Sequence, residues 1–540
     1  MFGAGGGTSS YREVEDADLI VLWGSNAREA HPIYFHHVLA AIRNGARLFA
    51  VDPRRTASAA FADTWLGLDV GTDIALANGV AREVIAAGLI DREFIDHATI
   101  GFDEFAEGVA PWTLERTAET TGLPAEQIRE FAHAIGTARR LQLCWTLGIT
   151  EHVTAVDNVL SLINLALLTG NVGRWASGLV PLRGQNNVQG GGDMGAIPAR
   201  LPGFADLTDP DTRVRFERCW DRKLPAAPGL HLSQMFEAMH ARTLRCLWVI
   251  GENPADSEAD GAHARAALDS LDFLVVQDLY LTRTAAMADV VLPAAAGWAE
   301  SEGTVTNSER RVQRVRRALA APGDARDDLR IVFDLARALG HDWGEPDAER
   351  VWDELRTLSP NHAGMTYARL EAGGGLQWPC VDTDDPGSPF LHGRLWARPV
   401  VGPRAPFHAC AWQPPLDHLD DDFPLRLTTG RVLDGYNTGV QTGRFASPIR
   451  SGDTLDLSAV TATAQGVRDG QRVRVSSRRG AIDMTIRIVD SLPPGLAFTT
   501  FHFPELADVN QLTSDAWDPK SGTAEFKATA IRVDALGTSR

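Results

Sequence analysis

Cysteine is scarce in this chain. Five cysteines (Cys144, Cys219, Cys246, Cys380 and Cys410) are spread over 540 residues, the nearest two 27 apart (246 − 219). That spacing excludes a disulfide framework and the closely spaced ligand sets of iron–sulfur and structural zinc sites. Reduced thiols and a cytoplasmic location are expected. Basic residues are also in deficit: 52 Lys and Arg against 70 Asp and Glu leave a net charge of −18. Phosphate contacts need clustered Lys and Arg, so nucleic acid is excluded as a partner. The most apolar stretch, residues 159–168, is about half a bilayer span and contains Asn164, so no membrane span is expected. The N-terminal MFGAGGGTSSYREVED lacks a basic n-region, an apolar h-region and a twin-arginine signal. His31, His36 and His37 have no fourth ligand at a suitable spacing, so no metal ligand is assigned. GAGGG precedes a strand instead of following one, which is wrong for a dinucleotide fingerprint.

What is present is an internal repeat. The 44% hydrophobic content supports packed cores, and the length suggests about three domains. ADLIVLWGSNAREAHP and LRCLWVIGENPADSEA each carry an apolar run, fit for a strand buried on both faces, that ends in a Gly-x-Asn loop: Gly24 to Asn26 and Gly251 to Asn253. Each copy then has a second apolar run ending in an acid, Asp52 or Asp278. Eleven residues on, both reach Ala-Asp, at Asp63 (63 − 52) and Asp289 (289 − 278), through TASAAFAD and TRTAAMAD. Strand–loop–helix–strand written twice predicts an α/β fold with parallel sheets and right-handed crossovers. Asp52 and Asp278 should sit at carboxyl ends of strands facing a common cleft, where ribose and base groups are received. Two nucleotide-like ligands, one pseudo-symmetric ligand, or a duplication with a single live site all fit this pattern.

Prolines tighten from Pro399 to Pro415, and short β-rich runs follow: PLRLTTGR, QRVRVSSRRG, AIDMTIRIV and LAFTTFHFP. They predict a linker and then a β-barrel from about residue 420. Gly170, after the apolar run VLSLINLALLT, is placed to stop a helix. It opens GNVGRWASGLVPLRGQNNVQGGGDMG, a loop able to wrap a large polar ligand through backbone N–H groups. Within it Arg183 can grip a carboxylate with two donors, or sit in a surface salt bridge.

GSNAREAHP, VDPRRT, GLDVGTD, CWTLGITEH, PLRGQNNVQG, GENPADSEAD, TRTAAMADVVLP and WAESEGTVTNSERRVQ together resemble the molybdenum bis-pterin-guanine-dinucleotide oxidoreductases. The nearest branch is the alpha subunit of cytoplasmic NAD-linked formate dehydrogenase. TTGRVLDGYNTGVQTGR and FHFPELADVNQLTSDAWDPKSGTAEFK resemble that family's cofactor-capping C-terminal domain. The resemblance implies two pseudo-symmetric Rossmann-like parallel-sheet domains, at 1–185 and 186–400. The second is expected to be incomplete, with an exposed sheet edge or uncovered apolar surface. A C-terminal double-psi-like β-barrel domain would follow at 401–540. It implies a molybdenum or tungsten bis-molybdopterin guanine dinucleotide. By position, Gly24, Asn26, Asp52 and Asp73 would serve one guanosine, and Gly148, Gln185 and Thr282 would also bind the cofactor. Gly251, Asn253, Gln277, Asp278 and Asp289 would serve the other. Thr429, Gly430, Arg431, Asn510 and Lys527 would close over the pterins. Arg183 would hold formate, and electrons would pass through iron–sulfur and flavin subunits to NAD.

The family's [4Fe-4S] ligands and its catalytic cysteine–histidine (or selenocysteine–histidine) pair are absent from these 540 residues. The pair would precede the stretch FGAGGGT, so an N-terminally truncated alpha subunit with negligible formate oxidation on its own is the expectation. A non-catalytic pterin-binding or assembly protein is the alternative. A nitrate reductase is a third reading, against which PLRGQNNVQG argues.

Overall fold

A computed structural model of the chain describes residues 2–442 and 450–536. Strands β1 (Leu19–Trp23), β2 (Arg47–Val51), β3 (Thr64–Leu66), β4 (Leu141–Trp145) and β5 (Gly178–Pro181) form one sheet. They are all parallel, in the spatial order β3-β2-β1-β4-β5. Every residue of β1 and β4 is buried, which is why LIVLW and LQLCW show no polar alternation. Helices Asp73–Ala86, Ala125–Thr137 and Ala155–Leu168 cover one face, and Pro32–Arg43 covers the other with Tyr34, Phe35 and Val38. Helix Ala155–Leu168 stops before Gly170, whose φ of +63° suits glycine. The strand order reverses between β1 and β4, so the loops that leave their carboxyl ends border a crevice.

The second copy builds β6 (Cys246–Ile250), β7 (Phe273–Asp278) and β8 (Val290–Pro293), parallel in the order β8-β7-β6. This repeats the β3-β2-β1 half of the first sheet. Helix Gly261–Asp269 covers one face. The other is an apolar groove walled by Cys246, Trp248, Phe273, Val290 and Leu335, with Phe273 44% exposed. β6 has no partner on its outer side among the described residues. Beyond it, β9 (Gly303–Thr306), β10 (Arg311–Val315) and β11 (Leu376–Gln377) form a small antiparallel sheet packed on Trp352, Tyr367 and Trp378.

The C-terminal strands β12 (Leu425–Thr429), β13 (Thr454–Leu457), β14 (Arg472–Ser476), β15 (Ala481–Ile488), β16 (Leu496–Thr499) and β17 (Thr529–Ala535) close into a barrel. Their order around it is β12-β16-β13-β15-β14-β17, and β12–β16 and β13–β15 are parallel pairs. Leu427, Leu455, Val473, Val475 and Ile486 fill its interior. No helix among the described residues is long and apolar enough to cross a membrane.

Candidate functional site

The crevice at the end of the first sheet begins with two touching glycines. Gly24 has a φ of +56°, and its N–H donates to Val51 O at 2.8 Å. Gly148 N donates to Gly24 O at 3.2 Å, and a Cβ on Gly148 would lie 2.6 Å from that same oxygen. Neither loop tolerates a side chain there. Asp52 directly follows β2, and Asp73 opens helix Asp73–Ala86 and accepts from Trp23 Nε1 at 2.8 Å. Burial raises the pKa of both carboxyls. Arg54 stands over the barrel's Phe498 ring, 3.7 Å from its centre. Gly24, Asn26, Asp52, Asp73, Gly148, Thr429, Gly430, Arg431 and Lys527 all border this first cavity.

The second copy reproduces the first bond by bond. Asn26 Oδ1 accepts from Ser58 N (3.3 Å) and Oγ (3.0 Å), and Asn253 Oδ1 accepts from Thr284 N (3.2 Å) and Oγ1 (2.7 Å). Their amide nitrogens donate to Glu29 at 2.8 Å and Asp256 at 2.7 Å. Gly251 N donates to Gln277 O at 2.8 Å, as Gly24 does to Val51. Asp63 and Asp289 each accept at 2.7 Å from the backbone of the neighbouring strand, at Leu48 and Leu274. Asn26 and Asn253 therefore spend their amides on loop structure, and a ligand meets the backbone beside them.

The second cavity, about 590 Å³, is bordered by Arg183, Gln185, Gly251, Asn253, Asp278, Thr282 and Asn510. Burial, reinforced by the nearby Glu252 charge, pushes the Glu258 carboxyl in its wall up to about 7. Thr146, Leu147, Leu182, Gly184, Arg431 and Phe501 border both cavities, so the two form one crevice. Gln277 and Asp289, expected beside a ligand, border neither. Gln277 precedes Asp278 in a pleated strand and faces the opposite side, where it is fully buried and donates to Asp328 at 2.6 Å. Asp289 is occupied as the clamp on Leu274.

Arg183 is not a surface ion pair. Its Nε donates to Gln189 Oε1 (3.0 Å) and its Nη2 to Gly5 O (2.8 Å), leaving three N–H groups without a partner among the described residues. The carbonyl of Arg183 accepts from His31 Nε2 at 2.7 Å. GAGGG thus lies against the Arg183 loop. A Cβ on Gly5 would come within 2.9 Å of the Phe204 ring, so tight packing explains that glycine.

The barrel is stitched to the first body beside the crevice. His152 Nδ1 lies 3.2 Å from Glu525 Oε1 and its Nε2 lies 3.2 Å from Gly148 O. Both ring nitrogens face acceptors, as an imidazolium requires. Burial disfavours that charge, but Glu525 and Asp73 outweigh it and lift the pKa. Burial likewise opposes the Glu525 carboxylate, and the His152 charge and hydrogen bonds pull its pKa below the usual value. Lys527 Nζ meets Glu151 at 2.6 Å. On the second body, Arg265 and Arg283 hold Asp508 at 2.9 and 3.3 Å. Arg54, His152, Phe501 and Glu525 escaped the sequence reading, and His31 was weighed there only as a metal ligand. CWTLGITEH and TAEFK contain His152 and Glu525, but only the fold brings these two together.

None of the five cysteines borders either cavity. Cys144 is buried against Tyr34 Oη at 2.9 Å, and burial pushes its thiol up to about 12. No cluster of three or more His, Cys, Asp or Glu suited to a metal occurs among the described residues. Gly443 and Arg444, which end TTGRVLDGYNTGVQTGR, lie outside the described residues.

The molybdopterin oxidoreductase family model matches residues 4–338, and the molybdopterin dinucleotide-binding domain model matches residues 425–530. F420-dependent formate dehydrogenase 2 subunit alpha of Methanococcus maripaludis is 41% identical over 548 residues, covering 99% of this chain and 79% of that protein. Formate dehydrogenase H of Escherichia coli is 33% identical over 544 residues, covering 100% of this chain and 76% of that protein. Among solved structures, acetylene hydratase from Pelobacter acetylenicus superposes with a TM-score of 0.74 at 19% identity, over 98% of this chain and 79% of that one. At that identity the likeness speaks for the fold alone.

Proposed function

Because the chain belongs to the molybdopterin oxidoreductases, as a formate dehydrogenase alpha-subunit-like member, we propose that its joined cavities hold two pterin guanine dinucleotides and that the loaded enzyme oxidises formate to carbon dioxide. The observation that carries this reading is the bond-for-bond repeat of the Asn26 and Asn253 loops at two cavities sharing one wall.

The residues present suit such a group. Buried His31 Nδ1 has no partner, His31 borders the first cavity, and Gly24 and Gly148 keep side chains out of it. Asp52, Asp73 and Asp278 offer acceptors for guanine N–H or ribose O–H. Arg54, Arg431 and Lys527 offset phosphate charge. Residues 1–185 hold one dinucleotide, 186–400 the other, and the barrel segment 401–540 roofs both through Thr429, Gly430, Arg431, Asn510 and Lys527. When bound, the group supplies a molybdenum or tungsten centre that takes up the two electrons of formate. The free N–H groups of Arg183 hold the formate carboxylate at two oxygens, and the ties to Gln189 and Gly5 keep its fork in one orientation. Electrons then leave through iron–sulfur or flavin subunits in the cytoplasm to NAD, or to the F420 named for the archaeal relatives.

One observation favours a second reading, a pterin-holding protein without turnover of its own. None of Cys144, Cys219, Cys246, Cys380 and Cys410 borders the crevice where the metal would sit. The test is to purify the chain after expression with molybdate or tungstate. Its pterin and metal are then measured, and formate-driven dye reduction is assayed. Two pterins per chain are expected, and their absence would sink both readings. Pterin with turnover selects the dehydrogenase, and pterin without turnover selects the second reading.

A further inference from the structure

His31 stands where the first cavity meets the Arg183 loop, and its two ring nitrogens have opposite fates. Nε2 lies 2.7 Å from the Arg183 carbonyl, which can only accept, so Nε2 carries the proton. Nδ1 is then an unprotonated acceptor, and it is buried with no partner. An orphaned buried acceptor is costly unless something fills it. The ring borders the first cavity with Asn26, Gly184 and Arg431. Burial, and then the Arg431 charge, hold the imidazole pKa down at about 4, so the ring is neutral throughout the physiological range. A neutral lone pair repels a phosphate oxygen and attracts an N–H or O–H.

We propose that His31 Nδ1 accepts a hydrogen bond from a heterocycle N–H or a hydroxyl of the dinucleotide in the first cavity, while Nε2 ties the same ring to the backbone of Arg183. The proposal rests on the cofactor reading above. It makes His31 a binding residue for the first dinucleotide. It also makes the ring a physical link between that occupant and the arginine of the neighbouring cavity.

Two substitutions separate the halves of this role. His31→Trp keeps a neutral N–H donor for the Arg183 carbonyl and carries no acceptor, whereas His31→Phe removes both. The readout is pterin retained per chain after expression with molybdate and gel filtration, measured as its fluorescent oxidation product. Both variants are expected to retain roughly three- to tenfold less than the unsubstituted chain, the worth of one neutral hydrogen bond. Full retention by His31→Trp with loss in His31→Phe would leave only the tether to Arg183 and overturn the acceptor role. A second measurement needs no variant: ¹⁵N spectra of histidine-labelled protein. The His31 Nδ1 resonance should sit at the unprotonated position in the empty chain and move upfield in the pterin-loaded one. An unmoved resonance in loaded protein overturns the proposal alone. If the unsubstituted chain takes up no pterin, the cofactor reading falls and this proposal with it.

Discussion

Asn26 and Asn253 lie in loops that leave two different sheets and make the same set of hydrogen bonds. Each amide oxygen takes a backbone N–H and a hydroxyl from one residue, Ser58 or Thr284, and each amide nitrogen gives to an acid three residues on. Replacing either by Ala orphans a loop that packs the floor of a cavity. Each substitution should cost about 1–3 kcal/mol locally. Hydrogen exchange at the Ser58 and Thr284 amides checks this: protection should fall at Ser58 in Asn26→Ala and at Thr284 in Asn253→Ala, each with little effect on the other copy.

Gly148→Ala should damage the fold without touching any titratable group. The new Cβ would sit 2.6 Å from Gly24 O, and both partners are backbone, so neither can rotate away. A loss on the order of 2 kcal/mol is expected, read as a lower denaturant midpoint. An unchanged midpoint would show that the two loops move apart freely.

The His152–Glu525 pair should make barrel docking depend on pH. His152 titrates above its ordinary 6.5, so its contribution is complete below that pH and fades as pH rises through the lifted value. Glu525 titrates below its ordinary 4.5, so its contribution is complete above that pH and fades as pH falls through the lowered value. Docking is therefore firmest between about 4.5 and 6.5 and loosens on both sides. His152→Leu should leave Glu525 buried and unpaired, cost about 3–5 kcal/mol, and remove the alkaline limb. Protease sensitivity of the segment before the barrel, followed across pH, measures this.

Arg183→Lys keeps a positive charge and loses the planar fork. In a formate-oxidising preparation, kcat/KM should fall about a hundredfold, since one ammonium cannot hold two carboxylate oxygens in place. If turnover is unchanged, formate binds elsewhere. The tie to Gly5 O is lost in the same variant, so earlier proteolysis near residue 5 should accompany the kinetic change.

Much of the crevice floor was legible because it is written twice. The matched Gly-x-Asn loops, and the acids Asp52 and Asp278 that end matched strands, needed only strand periodicity to find them. That Gln277 borders neither cavity could not be read from its proximity to Asp278, which hides the pleat that turns neighbours to opposite faces. Strands β13 and β17 were missed: their partners, such as Thr485 for Thr454 and Arg426 for Ala530, lie far along the chain. Strands β9 and β10 were likewise hidden in a stretch read only as a motif, and their partner β11 lies far along the chain. His152 and Glu525 have no local signature, because each explains the other's charge only after folding.

The roof of the crevice also has a place in time. Thr429, Gly430, Arg431, Phe501, Asn510 and Lys527 all come late in the chain, whereas the floor is complete by Thr282, 147 residues before Thr429 (429 − 282). At roughly 5–20 residues per second, a ribosome exposes that floor for about seven to thirty seconds before the first roofing residue emerges. The barrel then cannot shut until β17, which ends at Ala535, pairs with both β12 and β14. A newborn chain therefore passes through an open-topped stage, and a large occupant has its easiest entry then.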